Sequence, residues 1–531
     1  MSAAKGHDAI VIGAGANGLA AAVTLARAGR RVLVLERDDA VGGQSRAREF
    51  APGFRAPLAE DAGWLPPGVA RALGLGGLAQ EAPEVSLSVS VGDGTVVPIL
   101  RDPARAASVI RGHSARDADR WPAFATRLGK LASVLEALYQ LPPPDIDTTA
   151  LREIVPLIGV GRRLRALGRA DMTELLRVLP MPVQDLVDDT FAWEPLKAAL
   201  AAGGVRDLKQ GPRSGGTGYV LLHYLVGAPA GSVRARSWWR DGPEAFSAAA
   251  EAAARRHGVT IRTGAVVEQV LVRDDAVRGV VLAGGEELSA PVVLSTADPA
   301  RTLLGLVDPV WLDPEILHAV RNIKFRGCTA FVHYALDRLP ELPGVEASRH
   351  ALASVVSLTS DTTALERAYD AAKYGAVSSP PHVEVSVPTL RPGGDALAPA
   401  GKHVLVARVQ YAPNRLRDGD WDDDASRALA GAVRVAVGRA MPRFADAVLH
   451  EAVVTPRDLE TRFGLTDGDP THGALMLDQI MFMRPIPGWG RYAMPVDGLY
   501  LGGAGAHPGP GVLGGAGWLA ARRVLSDMKG K

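Results

Sequence analysis

The chain has 531 residues, so at about 150 residues per domain it has room for two to four domains. Apolar residues make up 47% and charged residues 22%, which is typical of a globular protein with buried cores. Lysine plus arginine number 59 against 58 for aspartate plus glutamate, so the net charge is +1. This balance offers no electrostatic footprint for a nucleic-acid partner.

Cys328 is the only cysteine in the sequence. One thiol cannot form a disulfide framework, a paired redox centre or a cysteine-based zinc site within one chain, so redox chemistry must come from a cofactor. Residues 1–7 contain no apolar signal-peptide region, and no run reaches about 18 uninterrupted apolar residues. We expect a cytoplasmic protein without a transmembrane segment, and peripheral membrane contact stays open.

Residues 8–35 follow the order strand, glycine turn, helix, strand. The turn matches G-x-G-x-x-G, in which Gly13 permits the tight turn, Gly15 lets the backbone approach a pyrophosphate and Gly18 allows close helix packing. Glu36 ends the second strand, where it can accept hydrogen bonds from ribose hydroxyls. The pattern predicts a dinucleotide site that includes Gly13, Gly15, Ala16, Asn17, Gly18 and Glu36.

Two later segments have a similar character. Residues 242–272 predict an alanine-rich helix over 246–257 and strands over 259–262 and 265–272. Residues 498–528 predict a short strand, a glycine-rich loop and a helix from 518. Between these segments the composition changes, with a helical stretch over 151–178 and strands over 325–336 and 403–409. We therefore expect a second domain that is inserted twice into the first.

The segment after Glu36 carries the doublet Gly42-Gly43 followed by a basic residue, Arg46. It resembles the glutathione-reductase-like flavoproteins of the amine oxidase and phytoene desaturase type, in which this segment lies along the FAD pyrophosphate. The resemblance implies FAD as the cofactor. It also implies cofactor contacts from Arg37, Gly42, Gly43, Gln44 and Ser45.

Residues 499–512, LYLGGAGAHPGPGV, resemble the ending of the phytoene desaturase and carotenoid isomerase group. This resemblance implies that the loop and the following helix direct amides at the flavin pyrimidine edge, where reduction leaves negative charge. Pro510 replaces a family glycine and removes one N–H donor. The implied cofactor contacts are Gly503, Gly505, Gly511 and Val512, together with the backbone of Val267 at the adenine.

Four shorter stretches, Phe50–Phe54, Thr471–Gly473, Asp478-Gln479 and Arg484-Pro485, resemble one branch of the same superfamily. That branch includes the pyridine nucleotide-disulfide oxidoreductase domain-containing protein 2. The likeness spans nearly the full chain and is dense in motifs over the first 75 and last 70 residues. The lone Cys328 cannot form the redox disulfide that the branch name implies.

The candidate catalytic residues are His472, His507 and Arg484. A histidine can act as a base or donor near neutral pH, and an arginine can hold a carboxylate. For His507 a purely structural role in the glycine loop stays open. No Ser-His-Asp spacing, P-loop, HExxH or EF-hand pattern occurs, so metal catalysis, phosphoryl transfer and hydrolysis have no sequence support.

The predicted fold is α/β, with a glutathione-reductase-like Rossmann FAD-binding domain over 1–75, 235–300 and 460–531. An interleaved α+β substrate domain covers 76–234 and 301–459. The predicted function is an FAD-dependent oxidoreductase of the desaturase or dehydrogenase type, which transfers a hydride from an apolar or amphipathic small molecule to flavin N5. The alternatives are a flavin-dependent amine or amino-acid oxidase, a polyene isomerase that uses reduced flavin, and a non-catalytic flavin-binding scaffold.

Overall fold

The computed structural model describes residues 6–58, 63–92, 94–144, 151–343, 345 and 348–530. The expectation drawn from the extreme N-terminus therefore lies, for residues 1–5, outside the described residues. Within them, no helix is both long enough and apolar enough to cross a membrane.

The strands are β1 (Ala9–Ile12), β2 (Val32–Leu35), β3 (Arg48–Ala51), β4 (Phe54–Ala56), β5 (Gln80–Glu81), β6 (Val85–Ser90), β7 (Val96–Leu100), β8 (Trp238–Trp239), β9 (Thr260–Arg262), β10 (Val267–Arg273), β11 (Ala276–Leu282), β12 (Glu287–Ser289), β13 (Val293–Ser295), β14 (Thr329–Leu336), β15 (Val356–Ser357), β16 (His382–Ser386), β17 (His403–Gln410), β18 (Val448–Val454) and β19 (Leu499–Leu501).

The α-helices are α1 (Ala16–Arg27), α2 (Pro67–Leu73), α3 (Pro103–Arg111), α4 (Ala115–Leu138), α5 (Leu151–Ala166), α6 (Gly168–Val178), α7 (Val183–Asp188), α8 (Glu194–Gly204), α9 (Thr217–Leu225), α10 (Ala245–Arg256), α11 (Pro314–Arg321), α12 (Ser348–Ala353), α13 (Thr362–Lys373), α14 (Asp423–Ala440), α15 (Pro456–Thr461) and α16 (Gly515–Gly530).

A five-stranded parallel sheet has the order β19-β13-β1-β2-β9. Successive side chains of its central strands face opposite sides of the sheet, and both sides are covered by other elements. Val11 and Val34 pack against α1, α10 and α16, whereas Ile10 and Leu33 pack against the antiparallel strands β10 and β11. This arrangement is Rossmann-like, and the predicted α/β class is confirmed.

Helix α1 begins at Ala16, directly after Gly15, so the last glycine of the motif, Gly18, lies within its first turn. Its close packing against α16 needs small residues. A Cβ atom on Gly517 would lie 1.9 Å from the carbonyl oxygen of Asn17. Helix α16 likewise begins at Gly515 rather than at residue 518, because its glycines form the contact with α1.

A seven-stranded mixed sheet has the order β18-β14-β17-β16-β15-β6-β7. One face packs against the apolar side of α14, including Leu429 and Val433, and helices α4 and α6–α9 build a separate core around Trp121. Two boundaries differ from the sequence predictions. The predicted helix over 151–178 is divided between α5 and α6, because Gly168 has a φ of +76°. Strand β14 begins at Thr329, four residues later than predicted.

Candidate active site

A cavity of about 320 Å³ opens where the parallel strands end, at Ile12, Leu35 and Thr296. Ligands bind at this edge of such sheets, beyond the carboxyl ends of the strands. The opening glycine turn forms one part of the wall, and residues 509–513 of the closing loop form another. Two segments nearly 500 positions apart in the sequence therefore line one site.

The three glycines of the opening turn are required for different structural reasons. Gly13 has a φ of +96°, which side chains rarely adopt. A Cβ on Gly18 would lie 1.9 Å from the carbonyl oxygen of Gly13, so this position is filled by protein. A Cβ on Gly15 would meet only the Cα of Gly43, at 3.9 Å. Gly15 thus faces the cavity, whereas Gly18 packs the helix against the turn.

Glu36 is 8% exposed and lies beside the turn at the end of β2. Its Oε2 accepts a hydrogen bond from the Ala14 amide at 2.7 Å, and its Oε1 accepts one from the Asp38 amide at 3.0 Å. Each carboxylate oxygen keeps acceptor capacity for a further donor. The side chain is therefore fixed in orientation and able to accept from the hydroxyls of a ligand in the cavity.

Among the described residues, three arginines line the cavity, and the sequence predicted one of them, Arg37. Arg37 donates to the carbonyl of Arg462 at 2.6 Å, and burial lowers its pKa. Arg48 pairs with Asp38 at 2.6 Å and donates to the carbonyl of Gly43 at 3.1 Å. Arg301 comes three residues after Asp298, whose carboxylate accepts from the Arg301 amide. Their positive charge suits a pyrophosphate, but Arg48 and Arg301 lie outside the glycine motifs that pointed to the site.

The cavity wall contains fourteen of the residues predicted from the sequence. They are Gly13, Gly15, Ala16, Asn17, Glu36, Arg37, Gly42, Gly43, Gln44, Ser45, Val267, His472, Gly511 and Val512. Five others lie behind the wall rather than in it. They are Gly18, Gly503, Gly505, Arg484 and His507.

His472 lines the cavity in a left-handed backbone conformation, with a φ of +58°. Burial lowers its pKa, while the nearby Asp298 opposes that shift. Its Nδ1 is buried and has no hydrogen-bond partner among the described residues. An unpaired buried polar atom is unfavourable, so a polar ligand group in the cavity would satisfy it.

Arg484 is placed differently from the sequence expectation. It is 1% exposed, and it donates five hydrogen bonds of 2.5–3.1 Å to backbone carbonyls. These carbonyls belong to Thr471, Gly473, Gln479 and Ala504. Burial lowers the Arg484 pKa to about 10, so the group stays charged at neutral pH. Its donors link the 471–479 segment to the closing loop, and Arg484 does not line the cavity.

His507 and the two nearby glycines also serve packing. His507 is 1% exposed, donates from Nε2 to the Leu138 carbonyl at 3.4 Å, and has its pKa lowered to about 4 by burial. A Cβ on Gly503 would lie 2.3 Å from the Thr296 carbonyl, and one on Gly505 would lie 2.4 Å from Pro299. These two positions are glycine because protein atoms fill the space beside them, and His507 lies outside the cavity lining.

The sequence of this chain is similar to those of known proteins. A family model described as an NAD(P)-binding Rossmann-like domain matches residues 11–64. The rat pyridine nucleotide-disulfide oxidoreductase domain-containing protein 2 is 35% identical over 98% of this chain and 94% of its own length. The chain belongs to that family. The expected resemblance is confirmed, and the chain is an oxidoreductase of the FAD-dependent type.

More distant relatives of this oxidoreductase family cover the chain almost completely. A phytoene desaturase from Rhodobacter capsulatus is 25% identical over 98% of this chain and 94% of its own length. A solved structure of a putrescine oxidase variant covers 99% of both chains with a TM-score of 0.60 and 15% identity, which shows the shared fold. The disulfide in the family name has no counterpart here, because Cys328 is the only cysteine, is fully buried and has its pKa raised by burial.

Proposed function

We propose that the protein is an FAD-dependent dehydrogenase or desaturase that oxidises an apolar or amphipathic small molecule. The observation that carries the proposal is the single cavity shared by the opening glycine turn and the closing loop. These two segments have different chemistry, one suited to a pyrophosphate and the other to an electron-rich ring edge. A dinucleotide with a redox-active ring requires both.

FAD fits the residues present. The N-terminus of α1 offers main-chain donors to the pyrophosphate beside Gly15, and Arg37, Arg48 and Arg301 supply positive charge. Glu36 would accept from the ribose hydroxyls, and the segment around Val267 would border the adenine. The unpaired Nδ1 of His472 would find a partner on the ligand.

When bound, FAD would accept a hydride at N5, and the substrate would also lose a proton from the adjacent carbon or nitrogen as its C=C or C=N bond forms. The chain's own contribution is to bind, orient and exclude water. His472 is the predicted catalytic residue that remains in the cavity wall. Because burial lowers its pKa, the ring is neutral at pH 7, and its Nδ1 can then accept a hydrogen bond or a proton.

The proposed substrate class rests on the names of two relatives and on the placement of Arg484. One relative is named phytoene desaturase. Another, from Castellaniella defragrans, is named as one component of a limonene dehydrogenase and is 24% identical over 99% of this chain and 96% of its own length. Both names refer to hydrocarbon substrates. Arg484, which could have held a carboxylate, gives all of its observed bonds to backbone carbonyls.

We also propose the domain division 1–75, 235–300 and 460–531 for the FAD-binding domain, with 76–234 and 301–459 as the substrate domain. Support comes from the two large sheets. Strands of the parallel sheet fall within the first set of segments, and strands of the seven-stranded sheet fall within the second. The cytoplasmic location stays a prediction.

The test begins with the purified protein, which should show the absorption bands of oxidised flavin or acquire them on reconstitution with FAD. In Gly15→Val the added side chain points into the cavity, so FAD retention should be lost while the fold survives. Gly129→Val on the exposed side of α4, where a Cβ meets nothing within 4 Å, is the matched control. Normal FAD occupancy in Gly15→Val would contradict the assigned pyrophosphate contact.

The substrate class needs a second experiment. FAD-loaded protein is mixed anaerobically with polyenes, cyclic hydrocarbons, amines and amino acids, and loss of the flavin absorption is recorded. Bleaching by hydrocarbons alone supports the proposal. Bleaching by amines or amino acids alone would instead support the oxidase alternative.

A further inference from the structure

Two main-chain amides of the closing loop are unpaired at the cavity. Gly511 and Val512 both line it. Within the described residues, neither amide donates a hydrogen bond to a protein acceptor. Pro510 has no N–H, so these two amides are the donors that the 510–512 segment can offer to a ligand.

The peptide plane between Pro510 and Gly511 is held by a histidine from another part of the chain. The Nε2 of His223, on α9, lies 2.8 Å from the carbonyl oxygen of Pro510. In a trans peptide the C=O and the following N–H point in opposite directions. Because His223 holds the carbonyl on the side of α9, the Gly511 amide is directed away from α9.

The direction of this hydrogen bond is fixed by its neighbours. A carbonyl can only accept, so Nε2 of His223 carries the proton. Burial lowers the His223 pKa to about 3, so the ring is neutral and its Nδ1 accepts. The acceptor Nδ1 is 2.7 Å from the hydroxyl of Tyr139, which is 2.9 Å from that of Tyr219. The hydroxyls therefore donate in one direction, from Tyr219 to Tyr139 to His223.

The next peptide plane is held in the same way by an arginine. The carbonyl of Gly511 accepts from Nη1 of Arg236 at 2.9 Å and from the amide of Trp64 at 2.9 Å. The Val512 amide must then point away from both donors. Arg236 is 3% exposed and also donates to the carbonyls of His223 and Tyr224, so its position is fixed.

We propose that His223 and Arg236 are positioning residues that aim the Gly511 and Val512 amides at the flavin ring and thereby raise its reduction potential. The inference rests on the proposed function, because it requires FAD in the cavity. Donors at the ring edge stabilise the electron-rich reduced form more than the oxidised form. Amides held in place before reduction need no reorganisation when the charge develops.

The experiment measures the two-electron reduction potential of the bound FAD in the full-length holoprotein. His223→Phe removes the donor to Pro510 and leaves an aromatic ring in its place. We expect the equilibrium constant for reduction to fall about tenfold, which is about 30 mV towards more negative potential for a two-electron couple. His223→Gln keeps an N–H donor and should recover part of the shift.

His333→Phe is the matched control. His333 lies on β14, is 4% exposed, has its pKa lowered to about 4 by burial and has an Nε2 without a partner among the described residues. Its replacement changes a buried histidine without touching the closing loop, so the potential should stay at the wild-type value. An equal shift in His333→Phe and His223→Phe would overturn the inference, because the effect would then be general loosening.

A second variant covers the case in which His223→Phe does not hold FAD. Tyr139→Phe keeps the ring and removes the hydroxyl that donates to His223, so we expect a smaller shift in the same direction. If the reduction potential is unchanged in every FAD-loaded variant of His223 and Tyr139, this inference is overturned and the proposed function is unaffected. A wild-type protein that never binds FAD would instead remove the proposed function, and this inference with it.

Discussion

The opening turn and the closing loop contribute to the same cavity, but they are held in place differently. In the opening turn the fit is local, because Gly18 packs on the carbonyl of Gly13 and Glu36 accepts from the Ala14 amide. The closing loop is held by side chains from distant parts of the chain, His223 and Arg236 among them. The first half of the site is thus a property of one short motif, and the second half is a property of the whole fold.

This difference determines which substitutions affect which half. A motif whose conformation depends on its own close backbone packing is destabilised when a packed glycine is replaced by a larger residue. A loop held by remote side chains fails when one buried donor is lost, since the carbonyls it served stay buried without a partner.

The largest expected effect comes from the anchor of the closing loop. Arg484→Met leaves the carbonyls of Thr471, Gln479 and Ala504 without their donor, so we expect the free energy of unfolding to fall by about 4 kcal/mol. Urea denaturation measures this change. Arg457→Met, on the surface of α15, is the control and should change stability by less than about 1 kcal/mol. Equal losses in the two variants would show that Arg484 does not anchor the loop.

Adding a methyl group to the opening turn should lower the stability of the protein at Gly18 but not at Gly15. Gly18→Ala places a Cβ 1.9 Å from a backbone carbonyl, so we expect a loss of about 3 kcal/mol. Gly15→Ala gives a Cβ whose nearest protein atom is 3.9 Å away, so the stability of the FAD-free protein should be nearly unchanged. Thermal denaturation of both FAD-free variants tests the contrast, which is lost if Gly15→Ala is the less stable of the two.

The smallest expected effect is the pH dependence of folding stability that His507 contributes. Burial lowers the His507 pKa to about 4, below its ordinary value of 6.5, so the folded protein favours the neutral ring. The resulting stability is present above pH 6.5 and is lost as the pH falls towards 4, with about 2 kcal/mol lost at pH 5. Melting temperatures of wild type and His507→Phe between pH 7.5 and 5 measure the difference. Parallel pH profiles for the two proteins would rule this contribution out.

Sequence patterns located the parts of the site that lie on continuous segments. The strand-turn-helix-strand unit around Gly13–Gly18 and the glycine doublet Gly42-Gly43 both border the cavity where expected. The patterns were less informative about Arg484 and His507, which were candidates for catalysis and are packed behind the wall. Residue type indicates what a side chain can do, but burial and available partners decide which of those roles it takes.

The sequence by itself determined the Rossmann-like unit, the superfamily resemblance and the exclusion of cysteine redox chemistry, because each depends on local order or on a simple count. Only the tertiary structure decided that Arg48 and Arg301 join the site and that His223 faces the Pro510 carbonyl. The physical reason is distance along the chain. Strand and helix periodicity depends on neighbours a few residues apart, whereas the contact of His223 with Pro510 joins positions separated by 287 residues and exists only once the sheets and helices have packed.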